Sequence, residues 1–370
     1  MTDTGTAPVP TLTELEASLD LGTRFLQAMQ RAAGNFEYEY DWQRRAYSEL
    51  DNQVRQAATL WGLTVILSHR ADPALAQTCR AGLEFFAAHS ACNEARGRYV
   101  RYPDAEIGQM GTVALVALSI LEYLRAGAAA DRQEYERWDR QLDEYLRFLL
   151  DGLHPSGLWF GSYTLAEGVP TGAPSPYYDG ESLLALSRAA RHLDRGELVD
   201  EIMQAAASGY RRNVLLALRN DPGAPTVRTY YQWATMAYYE MVEAAWSGTE
   251  QYVDVIYYMT DHMVHACGIA RSQYNTGATL EGVVHALALA VRRGDELRAR
   301  EYRDVVEQGL ANALSLQIGA ERANAFIRGG APWDEPAIGG VQHYPDRPLL
   351  RIDFAQHQLH AVLLALSHLF

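Results

Sequence analysis

The chain has 370 residues, 48% of them hydrophobic, and a formal charge of −14, so it can bury a substantial core and shows nothing of a disordered composition. The arginines are scattered singly or in pairs and no lysine occurs, a bias that GC-rich coding accounts for. This excludes nucleic acid as a partner, which needs a basic stripe, disfavours anionic membranes, and removes Schiff-base and phosphate-loop lysine chemistry.

Cys79, Cys92 and Cys267 stand alone, without CxxC or CxH spacing. That speaks against a zinc knuckle or a disulfide framework and for a reducing compartment. The first twenty residues lack a basic and then apolar leader, and no apolar run reaches membrane-spanning length. The expectation is a soluble cytoplasmic protein of one domain, residues 1–370, with a short disordered segment over 1–10.

Strand signals are nearly absent and helical periodicity recurs throughout. A capping box, Thr11-Leu-Thr-Glu14, opens a first helix that the pattern carries to about Ala32. A second is expected from Asp51 to Ser68. A third follows Asp72-Pro73 and runs to about His89, and a fourth spans about Ile107 to Arg125, stopped by Gly127. Helices five to eight are expected near 131–150, 178–193, 197–218 and 229–246. Nine to twelve are expected near 250–266, 276–293, 296–316 and 352–369.

Connections after even-numbered helices are short (HRAD, GAAA, DRG, SGT, RGD). Those after odd-numbered helices are long and rich in Gly, Pro and aromatics: 34–50, 152–177 and 319–350. Odd helices such as DRQEYERWDRQLDEYLRFLL carry a charged face, whereas even helices such as GTVALVALSILEYL are apolar nearly all round. Six hairpins with buried even helices predict an all-α (α/α)6 barrel, a six-hairpin toroid of twelve helices; an open helical solenoid is the competing arrangement.

In such a ring the long loops lead into six inner-helix N-termini at one mouth, offering free N–H groups and partial positive charge to hydroxyl-rich or anionic ligands. In YYDGES, Asp179 reads as an N-cap with Glu181 in the first turn. Alternatively the two serve as an acid/base pair beside Tyr177, Tyr178 and the LWFGSY aromatics, as glycosidic cleavage requires. In DNQVRQ, Asp51 caps, and Arg55 and Gln56 follow one turn on; an Asp51–Arg55 pair or substrate binding are both open. Glu281, in TLEGVVHALALA, would be a buried carboxylate with a raised pKa unless paired, with Arg271 and Tyr274 just upstream. In RIDFAQHQLH, Asp353, His357 and His360 share a helical face. Asp353 orienting His357, a catalytic acid or base, and a metal site compete there. HMVH, with Asp261, His262 and His265, resembles a metal spacing only weakly. No metal and no cofactor are expected; no Gly-rich nucleotide fingerprint occurs.

This alternation, the aromatic loops and the carboxylates at inner-helix starts resemble the six-hairpin glycosidase-like superfamily over nearly the whole chain. It includes unsaturated glucuronyl hydrolases, polysaccharide lyases and sugar epimerases. The resemblance implies a carbohydrate-active enzyme, with Asp or Glu pairs for hydrolysis or His or Tyr for epimerisation and elimination. The expected activity is hydrolysis of an oligosaccharide, with the arginines favouring a uronic acid slightly over a neutral sugar. Asp179 or Glu181 with Asp353 form the acid/base pair, and Asp51 stands in reserve. Tyr178, Trp159, Tyr231 and Trp233 would stack sugar rings. Arg55, Gln56, Arg271, Tyr274, Glu281 and Arg351 would bind substrate. The alternatives are an epimerase or lyase acting through His357, and a non-enzymatic helical scaffold or binding protein. The expected partner is a small-molecule or oligosaccharide substrate, and a homo-oligomer is possible.

Overall fold

A computed structural model of the chain describes residues 8–369. The expected segment 1–10 falls outside these residues for 1–7. Beyond that, the Pro8 and Val9 carbonyls accept hydrogen bonds from Arg322, and Pro10 is buried, so 8–10 are tied down.

All twelve expected helices are present: α1 (Leu12–Ala28), α2 (Gln53–His69), α3 (Pro73–Ala88), α4 (Met110–Arg125), α5 (Arg132–Asp151), α6 (Pro176–His192), α7 (Val199–Gly209), α8 (Pro225–Glu243), α9 (Tyr252–Asp261), α10 (Gly277–Arg293), α11 (Glu296–Ser315) and α12 (Ile352–Leu369). The capping box forms, the Thr11 N–H donating to Glu14 Oε2 at 2.8 Å. Three boundaries move for physical reasons. The first helix stops at Ala28, because Gln30 bridges Phe36 and Gly34, at φ +103°, turns the chain against the Ala81 carbonyl, where a Cβ would sit 2.3 Å from the oxygen. Asn52, not Asp51, caps α2, accepting from the Arg55 N–H at 3.1 Å. Proline at the first position starts α6 at Pro176, so Asp179 lies inside the first turn and is not its cap. Two outer helices end in wider π turns, α7 through Tyr210–Leu216 into Ala217–Asn220, and α9 through His262–Ala266.

The long connections hold short strands that periodicity did not announce: β1 (Glu39–Asp41), β2 (Ala46–Tyr47), β3 (Ser90–Asn93), β4 (Gly97–Val100), β5 (Gly108–Gln109), β6 (Ser162–Tyr163), β7 (Pro170–Thr171) and β8 (Leu349–Arg351). At two to four residues they are too short for an alternating pattern. They pair antiparallel in the orders β2-β1-β8, β3-β4 and β5-β6-β7, and so fasten the loops that lead into even helices.

The chain divides into two compact units. One comprises the chain up to Arg31, Phe36–Asp51 and everything from Thr260; the other comprises Ala32–Asn35 and Asn52–Met259. In the second unit α2 packs on α4, α4 on α6 and α6 on α8, with α3, α5 and α7 behind them. Every residue of α4 from Met110 to Leu124 is buried, which is why its sequence lacks a polar face. The far ends of this row are locked by charge. Arg188 is ion-paired to both Glu122 and Glu240, and Glu240 also takes Arg191 at 2.6 Å and His192 at 3.0 Å. Burial works to raise the Glu240 pKa, but the surrounding cations hold it well below the usual carboxylate range. In the other unit α10 packs on α11 and α12, and α1 covers α12.

Candidate functional site

Polar side chains collect at the N-terminal ends of the even helices, forming one cluster in each unit.

In the unit that holds α10 and α12, the two helices approach backbone to backbone. A Cβ on Gly277 would lie 2.7 Å from the Gln358 nitrogen, so the small first turn of α10 is what admits α12. The contact brings together Glu281, fully buried, and two imidazoles. His357 Nδ1 lies 2.9 Å from Glu281 Oε1, and His360 Nδ1 lies 3.4 Å from Oε2. Burial alone would raise the Glu281 pKa; the His360 and His357 rings reverse that and bring it to about 2. An ionised Glu281 is an acceptor only, so His357 Nδ1 carries the hydrogen and donates it. His357 keeps 18% of its side chain exposed, His360 only 6%.

Glu281, not Asp353, therefore orients His357. Asp353 is taken up by Arg351, whose Nε and Nη2 donate to its two oxygens at 3.0 and 2.6 Å. At the head of α12, Arg351, Phe354 and His357 are the partly exposed residues among buried neighbours, spaced to share one face. Arg351 lies over the Phe354 ring at 4.0 Å and over Tyr38 at 5.4 Å. Tyr274 and Arg271 are exposed upstream of α10, and Asp51 is exposed just before α2.

In the other unit, Asp179 is 1% exposed and fully engaged. It accepts the Trp159 N–H at 2.9 Å and the Asn213 amide at 2.8 Å. Burial raises its pKa to about 7 in spite of those two donors. Glu181 is also buried, its Oε2 has no hydrogen-bond partner, and burial pushes its pKa well above the carboxylate range. Its carboxyl group rests against the first turn of α4, where a Cβ on Gly111 would meet Oε2 at 2.1 Å. Tyr178 donates to Gln109 Oε1 at 3.2 Å. Arg55 is half-buried and Gln56 fully buried on α2.

The expected stacking aromatics are a correction. Trp159, Tyr231 and Trp233 are buried to 3% exposure or less. The Trp159 indole donates to the Leu149 carbonyl, and Trp233 packs on Trp61 with ring centres 5.2 Å apart. They are core side chains and offer no open ring face. Among the described residues, Asp261, His265 and Glu301 have potential metal-ligating atoms within 4.8 Å of one another. Asp261 is already held there by Arg298 at 3.1 Å and Tyr302 at 2.5 Å.

No protein-family model matches the sequence, and no curated protein sequence does. Solved structures match along nearly the whole chain. A D-mannose isomerase shares 14% identity over 97% of this chain and 98% of its own, with a TM-score of 0.69. Cellobiose 2-epimerase from Spirochaeta thermophila DSM 6192 shares 15% over 95% and 96%, with a TM-score of 0.64. An unsaturated glucuronyl hydrolase specific for heparin shares 9% over 95% and 96%, with a TM-score of 0.62. The fold these structures share with this chain is the (α/α)6 barrel, the fold class expected from the helix alternation. No helix among the described residues is long and apolar enough to cross a membrane.

Proposed function

We propose that this protein is a carbohydrate-active enzyme that moves a proton at C2 of a reducing sugar, as an aldose–ketose isomerase or 2-epimerase. The observation that carries this is the His357–Glu281 pair: a partly exposed imidazole whose Nδ1–H is fixed on a buried carboxylate, the arrangement that orients a histidine base. In the open-chain sugar, Nε2 takes the C2 hydrogen as a proton. The C–H electrons form the C1=C2 bond of an enediolate, and the carbonyl electrons move onto O1. Arg351, one residue before α12 and held beside this face by Asp353, would offset that charge. Return of the proton to C1, as the O2 proton passes to O1 and the carbonyl forms at C2, yields the ketose; delivery to the opposite face of C2, as the carbonyl re-forms at C1, yields the epimer. The fold neighbours described as mannose isomerase and cellobiose epimerase support this class of substrate.

Hydrolysis is the second reading, and Glu181 favours it. A buried carboxyl group kept protonated is what a general acid requires. Asp179 and Asp353 suit an acid/base role less well, because both are occupied by protein donors.

Incubation with mannose, glucose and cellobiose in deuterated water tests the choice. C2 deuteration that falls about 10²–10⁴-fold in His357→Asn supports proton transfer. Release of monosaccharides from cellobiose without deuteration, unaffected by His357→Asn and abolished by Glu181→Gln, overturns it in favour of hydrolysis.

A further inference from the structure

Two tyrosines lie open to solvent where the loops meet at the heads of α10 and α12. Tyr274 is 39% exposed and Tyr344 49%, with ring centres 6.3 Å apart. His343 stands behind both, 5.6 Å from Tyr274 and 4.2 Å from Tyr344. On its other side it stacks on Phe354 at 4.4 Å with the planes 16° apart. Phe354, on α12, stands three residues after Arg351 and three before His357. A continuous run of rings therefore leads from open surface to the residue next to the base.

The loops that carry the two rings, whose planes are 60° apart, are tied together. The Asn275 N–H donates to the His343 carbonyl at 2.8 Å, joining the two loops, and the Asn312 amide donates to the Tyr274 carbonyl at 2.9 Å. Tyrosine offers a flat apolar face with a hydroxyl rim at little entropic cost, which fits a sugar ring better than a greasy partner. Residues three apart on a helix lie about 5–6 Å apart, so the tyrosines stand on the order of 15 Å from His357 along this run. That is beyond the ring that reacts and within reach of one or two units joined to it.

We propose that Tyr274 and Tyr344, backed by His343, form a stacking subsite for the sugar units attached to the reacting one, so that the substrate is a disaccharide or longer. This rests on the proton-transfer reading only for which sugar end reacts; the subsite itself is a binding statement.

The experiment measures binding of glucose, mannose, cellobiose and β-1,4-mannobiose to the His357→Asn protein by titration calorimetry, together with C2 deuteration by the wild type. At least one disaccharide should bind about tenfold or more tighter than its monosaccharide. Tyr274→Ala/Tyr344→Ala should abolish that preference and lower the disaccharide-to-monosaccharide ratio of kcat/KM by a similar factor. Tyr274→Phe/Tyr344→Phe, which keeps the ring faces, should retain it. Absence of tighter disaccharide binding, or a preference that survives the double alanine variant, overturns the subsite. Disaccharide preference lost in the alanine variant but without deuteration of any sugar supports the subsite and overturns the proton-transfer reading.

Discussion

Glu281 Oε1 accepts the His357 Nδ1 hydrogen at 2.9 Å across the α10–α12 contact, while Oε2 faces His360 at 3.4 Å. One buried carboxylate thus serves two imidazoles, and the fold tolerates its charge because both lie within reach. The more exposed ring is the one assigned to substrate in the proposed reaction, and the deeper one lies against the other carboxylate oxygen.

Glu281→Gln can still accept from Nδ1 but carries no charge to stabilise an imidazolium. The expected result is a fall in kcat of at least about tenfold with KM little changed, read from steady-state C2 exchange. The same substitution tests pH dependence. The folded pKa of Glu281, about 2, lies below its ordinary 4.5, so ionised Glu281 contributes stability above pH 4.5 that is lost as pH falls towards 2. Thermal melts between pH 5 and 2.5 should show a shallower acid loss in Glu281→Gln than in the wild type. Equal slopes would mean the carboxylate is not ionised in the folded protein.

Asp179 has the opposite sign. Its folded pKa of about 7 is above the ordinary 3.8, so the neutral form favours folding. Its contribution is complete below pH 3.8 and disappears as pH rises through 7. Asp179→Asn keeps the shape and removes the titration, and a turned Asn213 amide can still pair with it. Urea midpoints should therefore fall less between pH 5 and 8 in Asp179→Asn than in the wild type. An unchanged slope would show that Asp179 is ionised throughout.

The architecture was legible because the even helices must be apolar on every side and the odd ones on one side only. That difference is written in α4 and α5 without reference to any partner. The Thr11–Glu14 box and Asp72-Pro73 were legible for the same local reason. The clusters were not, because their bonds are long-range. Glu281 and His357 are 76 residues apart, and Asp179 finds Asn213 in a π turn 34 residues on. Asp353, four residues before His357, was the nearer guess, and Arg351 had already claimed it. Trp159, Tyr231 and Trp233 looked like stacking rings because an aromatic in a Gly/Pro-rich stretch reads the same whether it faces sugar or core. Tyr344 and His343, inside the long 319–350 connection, carried no periodicity to mark them.

Gly111 is placed by its neighbour, not by backbone strain, since its φ is negative and helical. Alanine there would put a methyl group 2.1 Å from Glu181 Oε2 and 2.5 Å from the Tyr178 ring. Gly111→Ala should cost about 1–3 kcal/mol in urea unfolding despite the better helix propensity of alanine. Glu181→Ala should relieve part of that in the double variant, the Tyr178 ring still standing in the way, and give a coupling energy of more than about 0.5 kcal/mol. Additive losses would separate the two residues.

At the other end of the same helices, Arg188 lies partly buried between Glu122 and Glu240. Replacing it with methionine preserves much of the volume but leaves two buried carboxylates short of a cation. Glu122 keeps Arg125 at 2.8 Å, and Glu240 keeps Arg191 and His192, so the loss should lie at the lower end for a broken buried pair, about 3 kcal/mol. Adding Glu122→Gln removes the charge most exposed to the loss, because Arg125 reaches it from the edge of the helix while Arg188 met it inside. The Glu122→Gln/Arg188→Met protein should regain at least about 1 kcal/mol over Arg188→Met in guanidinium unfolding. A double variant no more stable than the single one would show that Arg188 acts through packing and not through its charge.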